Sequence, residues 1–169
     1  VVDHDIGAVM AISEHQLLQL APLKHALGDC RVLCPEPAAL DLVLDKQKTL
    51  ALAAGLGLSV PSGWQPRSGE DFAALAAALT YPVAVKWADP NAVSARLAEH
   101  GLALEKVEYA ADAAALLAML GRYDDLGAWP LVQTWCAGYG LGQMLHMHAG
   151  PNGAVAATLR FQHRRLREW

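Results

Sequence analysis

Tyr81-Pro82-Val83-Ala84-Val85-Lys86 is the stretch on which the reading of this chain turns. It alternates β-branched and small residues, and proline is tolerated at the first position of a strand, so Pro82 to Lys86 reads as a β-strand. That strand ends on a charge. An ammonium group at the end of an apolar strand is costly unless it emerges into water or into a site. As a compact point charge it suits the oxygens of a phosphate. On spacing alone, a phosphate-binding lysine and a solvated strand end both remain open.

Downstream of this strand, residues 88–102 are mixed, with a short helix through Ser94 to His100. Lys106 to Tyr109 suggests a strand and Asp112 to Leu120 an Ala/Leu helix. Leu131-Val132-Gln133-Thr134-Trp135-Cys136 is a further strand leading into Gly138-Tyr139-Gly140-Leu141-Gly142. Gln143 to His148 and Ala154 to Gln162 then flank Gly150-Pro151-Asn152-Gly153, a strong hairpin signal. A turn centred on Pro151-Asn152 sets His146 opposite about Ala157 and His148 opposite about Val155. No third ligand comes within reach of the two imidazoles, so a zinc site is not expected there.

Upstream, Ser68-Gly69-Glu70-Asp71 fits a capping box before a helix carrying Phe72, Leu75, Ala76 and Leu79. Asp45 is a plausible N-cap for a helix over Lys46 to Leu56, ended near Gly55 and Gly57. Ser59 to Gly63 reads as a stop signal, and Pro35 and Pro37 bracket a turn. Arg31 to Cys34 reads as a short strand, and an apolar run from Ile6 to Ile12 as another. Between them Ser13-Glu14-His15-Gln16 opens a helix that Pro22 interrupts. Short strands alternating with helices, plus a hairpin, describe a mixed α/β protein.

Composition narrows the classes further. Of 169 residues, 54% are hydrophobic and 18% charged, with formal net charge −4. This is the profile of a globular chain with ample apolar area to bury. A pI near 5.9 gives no global electrostatic reason to bind nucleic acid or an anionic membrane. Charge, Pro or Gly interrupts every apolar run before a membrane-spanning length is reached. Three cysteines, an odd number, make a disulfide framework improbable and a reducing cytoplasm the natural setting. The absence of an initial Met, and a stop at Trp169 straight after a basic stretch, read as a piece of something longer.

Four motifs in order carry a family resemblance. Asp45-Lys46 opening a helix with Thr49 in its first turn, then Gly57-Leu58-Ser59-Val60-Pro61, resembles the opening of an ATP-grasp domain. Tyr81 to Lys86 resembles that superfamily's "PVVVKP" strand, with Trp87 where Pro is usual. Pro130 to Gly138 is similar to its hinge strand, often written "LVQEYIPG". Phe161-Gln162-His163-Arg164-Arg165-Leu166-Arg167-Glu168 is similar to a "FQHRRLRE" stretch of carboxylate–amine ligases related to carbamoyl-phosphate synthase large subunits. The resemblance covers residues 45–169.

The resemblance implies an α+β, ATP-grasp-like fold. Residues 1–44 would be the end of an N-terminal pre-ATP-grasp α/β domain. Residues 45–136 would be the linker helix and B subdomain, and residues 137–169 the truncated start of the C-terminal lobe. It also implies roles. Lys46 and Lys86 would approach ATP phosphates. The Gln133 side chain, the Thr134 carbonyl and the Cys136 N–H would meet adenine, with Trp135 where Tyr is common. Gln162 and His163 match positions near the ribose in some relatives. Arg164 and Arg165 are the catalytic candidates, since Arg can stabilise charge on a transferring phosphoryl group.

Two departures matter. No Gly-rich phosphate loop follows Lys86; Asp89-Pro90-Asn91-Ala92-Val93-Ser94 stands there instead. The Glu and Glu-x-Asn that hold Mg²⁺ in the superfamily are expected beyond Trp169, so this chain is expected to be inactive alone and to hold no metal. The leading expectation is the ATP-binding portion of a ligase that activates a carboxylate as acyl phosphate for attack by an amine. Its partners would be small-molecule carboxylate and amine substrates, with no nucleic acid, no membrane, and a homodimer left open. The alternative is a non-catalytic nucleotide-binding regulatory or docking module. A third reading, helices that merely pack together as an interaction domain, explains neither Lys86 nor the ordered motifs.

Overall fold

In the computed structural model, residues 4–136 are described in full and residues 143–149 and 155–161 through their backbone. The chain divides into two compact units, Val1–Trp135 and Cys136–Trp169. The first unit opens with two short strands, β1 (Ala8–Met10) and β2 (Arg31–Leu33), paired in parallel with Val9 opposite Val32. Between them α1 (Glu14–Leu20) begins where Ser13 Oγ accepts from the Gln16 N–H, as its capping sequence predicts. A 3-10 turn at Ala21–Leu23 follows, with the proline near its start.

The next element departs from expectation. Pro37 does not bracket a turn but starts a helix, α2 (Pro37–Leu44). The pyrrolidine ring presets φ for the first helical position, where no N–H partner is needed. Asp45 then caps α3 (Lys46–Gly55), its Oδ1 accepting from Gln47 and Lys48 N–H at 2.8 and 3.1 Å. The Thr49 hydroxyl reaches back to the Leu42 carbonyl at 2.9 Å and ties the two helices together.

A four-stranded antiparallel sheet in the order β3-β6-β4-β5 forms the body of this unit. Its strands are β3 (Gly63–Trp64), β4 (Val83–Lys86), β5 (Glu108–Ala110) and β6 (Leu131–Thr134). β4 ends on Lys86 as predicted. β3 begins inside the stretch that reads as a stop signal, because a two-residue edge strand is too short to leave a periodic trace. Helices α4 (Phe72–Ala77) and α6 (Ala113–Gly121) cover one face of the sheet. The core there is Ala76, Val83, Val85, Ala110, Leu116, Leu120 and Val132, none more than 2% exposed. Leu116 and Leu120 are four apart, so they lie on one stripe of α6, which Asp112 caps by accepting from the Ala115 N–H.

Two helix starts are displaced from the predicted positions. α4 is capped by Asp71, whose Oδ1 accepts from Ala74 N–H at 3.0 Å, rather than by Ser68. Glu70 is drawn away instead, its carboxylate accepting from the Trp64 indole N–H and the Arg67 N–H. α5 runs from Pro90 to Glu99 and not from Ser94. Asp89 caps it and Pro90 is again the helix-starting residue, so the stretch that follows Lys86 in place of a phosphate loop is the head of a helix. Below it a second small core joins Trp87, Leu97, Tyr123 and Leu126.

The second unit contributes an antiparallel hairpin, β7 (Gln143–Ala149) and β8 (Val155–Phe161). The predicted hairpin forms with its register moved by one residue: His146 faces Thr158 and His148 faces Ala156. Ala149 opposite Val155 centres the ladder on Asn152, not between Pro151 and Asn152. Among the described residues no helix is long and apolar enough to cross a membrane.

Candidate functional site

Strand alternation sorts the sheet into two faces. Val83 and Val85 on β4 and Val132 on β6 turn to the helices. Their alternates, Ala84 and Lys86 on β4 and Leu131 and Gln133 on β6, turn to the opposite face. The register then aligns one row across four strands: Gly63, Gln133, Ala84 and Tyr109. Lys86 stands one pair along, opposite Leu131. Diagonal neighbours on one face of an antiparallel pair sit roughly 7 to 8 Å apart, within reach of long side chains. The sheet therefore brings Lys86 and Gln133 to one surface.

Lys46 joins them from outside the sheet. At the head of α3 its backbone N–H donates to the Ala88 carbonyl at 2.9 Å, and its Nζ reaches the same oxygen at 3.4 Å. Ala88 lies two residues past Lys86, so the two ammonium groups are neighbours. Burial, and after it the Lys46 charge, push the Lys86 pKa below the ordinary lysine value. Among the described residues neither lysine pairs with a carboxylate. Two adjacent cations that pair with no described carboxylate form a place where an anion is stabilising.

This arrangement has a pH signature. An anion bound between the lysines favours the protonated form of Lys86 and raises its pKa. Binding therefore takes up protons in the window between the depressed value of the free protein and the raised value of the complex. Affinity for a polyphosphate should fall as pH rises through that window. Calorimetry in buffers of different ionisation enthalpy should read net proton uptake at alkaline pH in wild type and less in Lys86→Ala.

Gln133 is a buried polar residue, only 5% exposed. It lies on a central strand with β3 and β4 on either side. Its terminal amide makes no hydrogen bond to any described residue. Gly63 beside it is part of the same fit: a Cβ there would come 3.4 Å from the Leu131 side chain and 3.8 Å from that of Gln133. Thr134 continues the strand, its N–H and hydroxyl both donating to the Ser62 carbonyl at 2.8 and 3.1 Å. Trp135 follows on the Gln133 side of the alternation and meets Tyr109 edge to face, ring centroids 4.8 Å apart. Sequence reasoning missed that Tyr109 belongs to this surface. The signal was there only in the pairing of distant strands.

Cys136 is exposed and opens the second unit. Gln162, His163, Arg164 and Arg165 lie outside the described residues. Trp87, at the position where the resembling motif has Pro, is turned into the core against Tyr123 at 5.1 Å.

Comparison with known proteins bears on this architecture. No family model matches the chain, and no curated protein matches its sequence. Solved structures do. The chain is similar to D-alanine–D-alanine ligase from Bacillus anthracis, with a TM-score of 0.62 and 14% identity over 96% of this chain and 57% of that one. It is similar to N5-carboxyaminoimidazole ribonucleotide synthetase from Thermus thermophilus, with a TM-score of 0.61 and 19% identity over 98% of this chain and 39% of the other. D-Alanine–D-alanine ligase from Helicobacter pylori gives 0.59 and 13%, over 90% and 44%. The chain has the mixed helix-and-sheet fold of the ATP-grasp ligases. It spans about half the length of these structures, from 39% to 57%.

Proposed function

We propose that this chain is the ATP-binding portion of an ATP-grasp ligase that activates a carboxylate as acyl phosphate for attack by an amine. The observation that carries the proposal is the convergence of Lys46, Lys86 and Gln133 on the sheet face away from the helices, with the Tyr109–Trp135 pair beside them. The lysines supply charge for the phosphates. Gln133 supplies an amide that can both donate to and accept from a purine edge. The aromatic pair supplies apolar surface for the base. The likeness of the fold to ligases supports the same reading.

The finer parts of the proposal rest on motif resemblance. The Thr134 carbonyl and the Cys136 N–H would meet adenine through main-chain groups, and Gln162, His163, Arg164 and Arg165 would serve the ribose and the transferring phosphoryl group. The "FQHRRLRE" stretch points to the carboxylate–amine ligases related to carbamoyl-phosphate synthase large subunits. Among the described residues no three His, Cys, Asp or Glu side chains come together as a metal site.

A comparison of two ligands tests the base subsite apart from the phosphate subsite. In Gln133→Ala the affinity for a non-hydrolysable ATP analogue should fall by about 5- to 10-fold, as expected for one lost hydrogen-bonded amide. The affinity for inorganic tripolyphosphate should stay within about 2-fold. Equal losses for both ligands would show that Gln133 does not read the base.

A further inference from the structure

A second cleft lies on the helix side of the sheet. It has a volume of about 390 Å³ and opens between the loop after β3, the head of α5 and the segment before β6. Its size falls within the range of small-molecule sites. Its walls belong to the packed side: Trp129 meets Phe72 at 5.0 Å, and Trp87 meets Tyr123. Lys86 and Gln133 face the other way, so this cleft is separate from the surface described above.

The cleft has an apolar bed and few polar groups. Trp87, Trp129 and Val93 line it. The Trp129 indole N–H is already committed to the Asp124 carboxylate at 3.1 Å. That of Trp87 is not: the side chain is 5% exposed, and its N–H donates to no described residue. Trp87 is among the residues that line the cleft. Arg67, on the rim, makes no ion pair with any described carboxylate, and the nearby Glu70 accepts from the Trp64 indole and Arg67 backbone N–H groups. Asp89 is the one acid of the lining, and its Oδ1 is engaged by the first N–H groups of α5.

These groups select a chemistry. The guanidinium offers a planar pair of donors that matches a carboxylate. The indole N–H, a donor only, offers another. Two indole surfaces favour an apolar or aromatic body. The negative charge of Asp89 in the same lining works against a ligand carrying several negative charges, which argues against a nucleotide phosphate chain. We propose that this cleft binds a small monocarboxylate with an apolar or aromatic body, its carboxylate held by Arg67 and the Trp87 N–H. The proposal does not depend on nucleotide binding at the other face.

Phenylacetate, titrated into the ¹⁵N-labelled full chain, is the probe. The indole N–H resonances of Trp87 and Trp129 should shift saturably. In Arg67→Gln the affinity should fall at least about 10-fold, in line with loss of a charge-assisted pair. Arg67 is exposed and its side chain holds no other element, so this variant keeps the fold. Lys86→Ala should bind phenylacetate as wild type does, even if that variant or the wild type fails to bind nucleotide. An absent or non-saturable shift would overturn the proposal. So would equal binding of phenylacetamide, equal binding by Arg67→Gln, or displacement of phenylacetate by an ATP analogue.

Discussion

Lys86→Ala is expected to weaken binding of a non-hydrolysable ATP analogue by about 10- to 100-fold while leaving thermal stability almost unchanged. A hydrogen bond to a charged group contributes about 1.5 to 3 kcal/mol, which corresponds to that range. The stability half follows from the same surroundings. In the free protein Lys86 is half-buried, lies beside Lys46 and has no carboxylate partner among the described residues, so its charge is held at a cost. Removing it takes away a repulsion and no ion pair or side-chain hydrogen bond to a described residue. Calorimetric titration read together with a melting curve checks both halves at once. Unchanged affinity, or a fall in melting temperature as large as the fall in affinity implies, would contradict the role given to this lysine.

Leu116→Ala is expected to do the reverse. Leu116 is fully buried in the cluster that joins α6 to β4, β5 and β6. Deleting a buried leucine to alanine costs about 2 to 5 kcal/mol, the lost transfer energy plus the cavity left behind. Neighbours here include Val83, Val85 and Val132, β-branched side chains with few rotamers with which to close the gap. For a chain of this length that cost lowers the melting temperature by about 5 to 15 °C. At a temperature where the variant stays folded, nucleotide affinity should be retained, because Lys86 and Gln133 alternate away from this core. A destabilisation under about 1 kcal/mol in chemical denaturation would show that the helix face is not the core of the sheet.

The contrast between these variants reflects what could be read before folding. The strand ending on Lys86 was legible because its alternation and its terminal charge are local. The cap at Asp45, which sets Lys46 at a helix head, was legible for the same reason. Gln133 was not: its burial comes from β3 and β4 on either side, which no window around residue 133 contains. Tyr109 beside Trp135 depends on the β4–β5 and β4–β6 registers together. The Pro37 and Pro90 helices were obscured for a different reason, since proline both ends and starts helices and only the following turn decides which. The Asp89 carboxylate, the signal that settles it, was visible in the sequence at the position before Pro90.

The head of α5 also bears on how this site differs from the motif it resembles. In place of a Gly-rich loop, Asp89 caps a helix whose Arg96 donates to the Leu126 carbonyl at 2.6 Å and whose Leu97 is fully buried. Asn91 also holds the Glu14 carboxylate at 3.0 Å. The segment after Lys86 is therefore tied at several points. The cationic pair stands beside a fixed helix head.

The most direct measurement of the central claim is a backbone NMR map of a non-hydrolysable ATP analogue titrated into the chain. Binding at the proposed surface should give saturable shifts at Lys46, Ala84, Lys86, Tyr109, Gln133 and Trp135, with Leu116, Leu120 and Arg67 left nearly unmoved. No saturable shift, or shifts confined to the helix face and the Arg67 cleft, would contradict it.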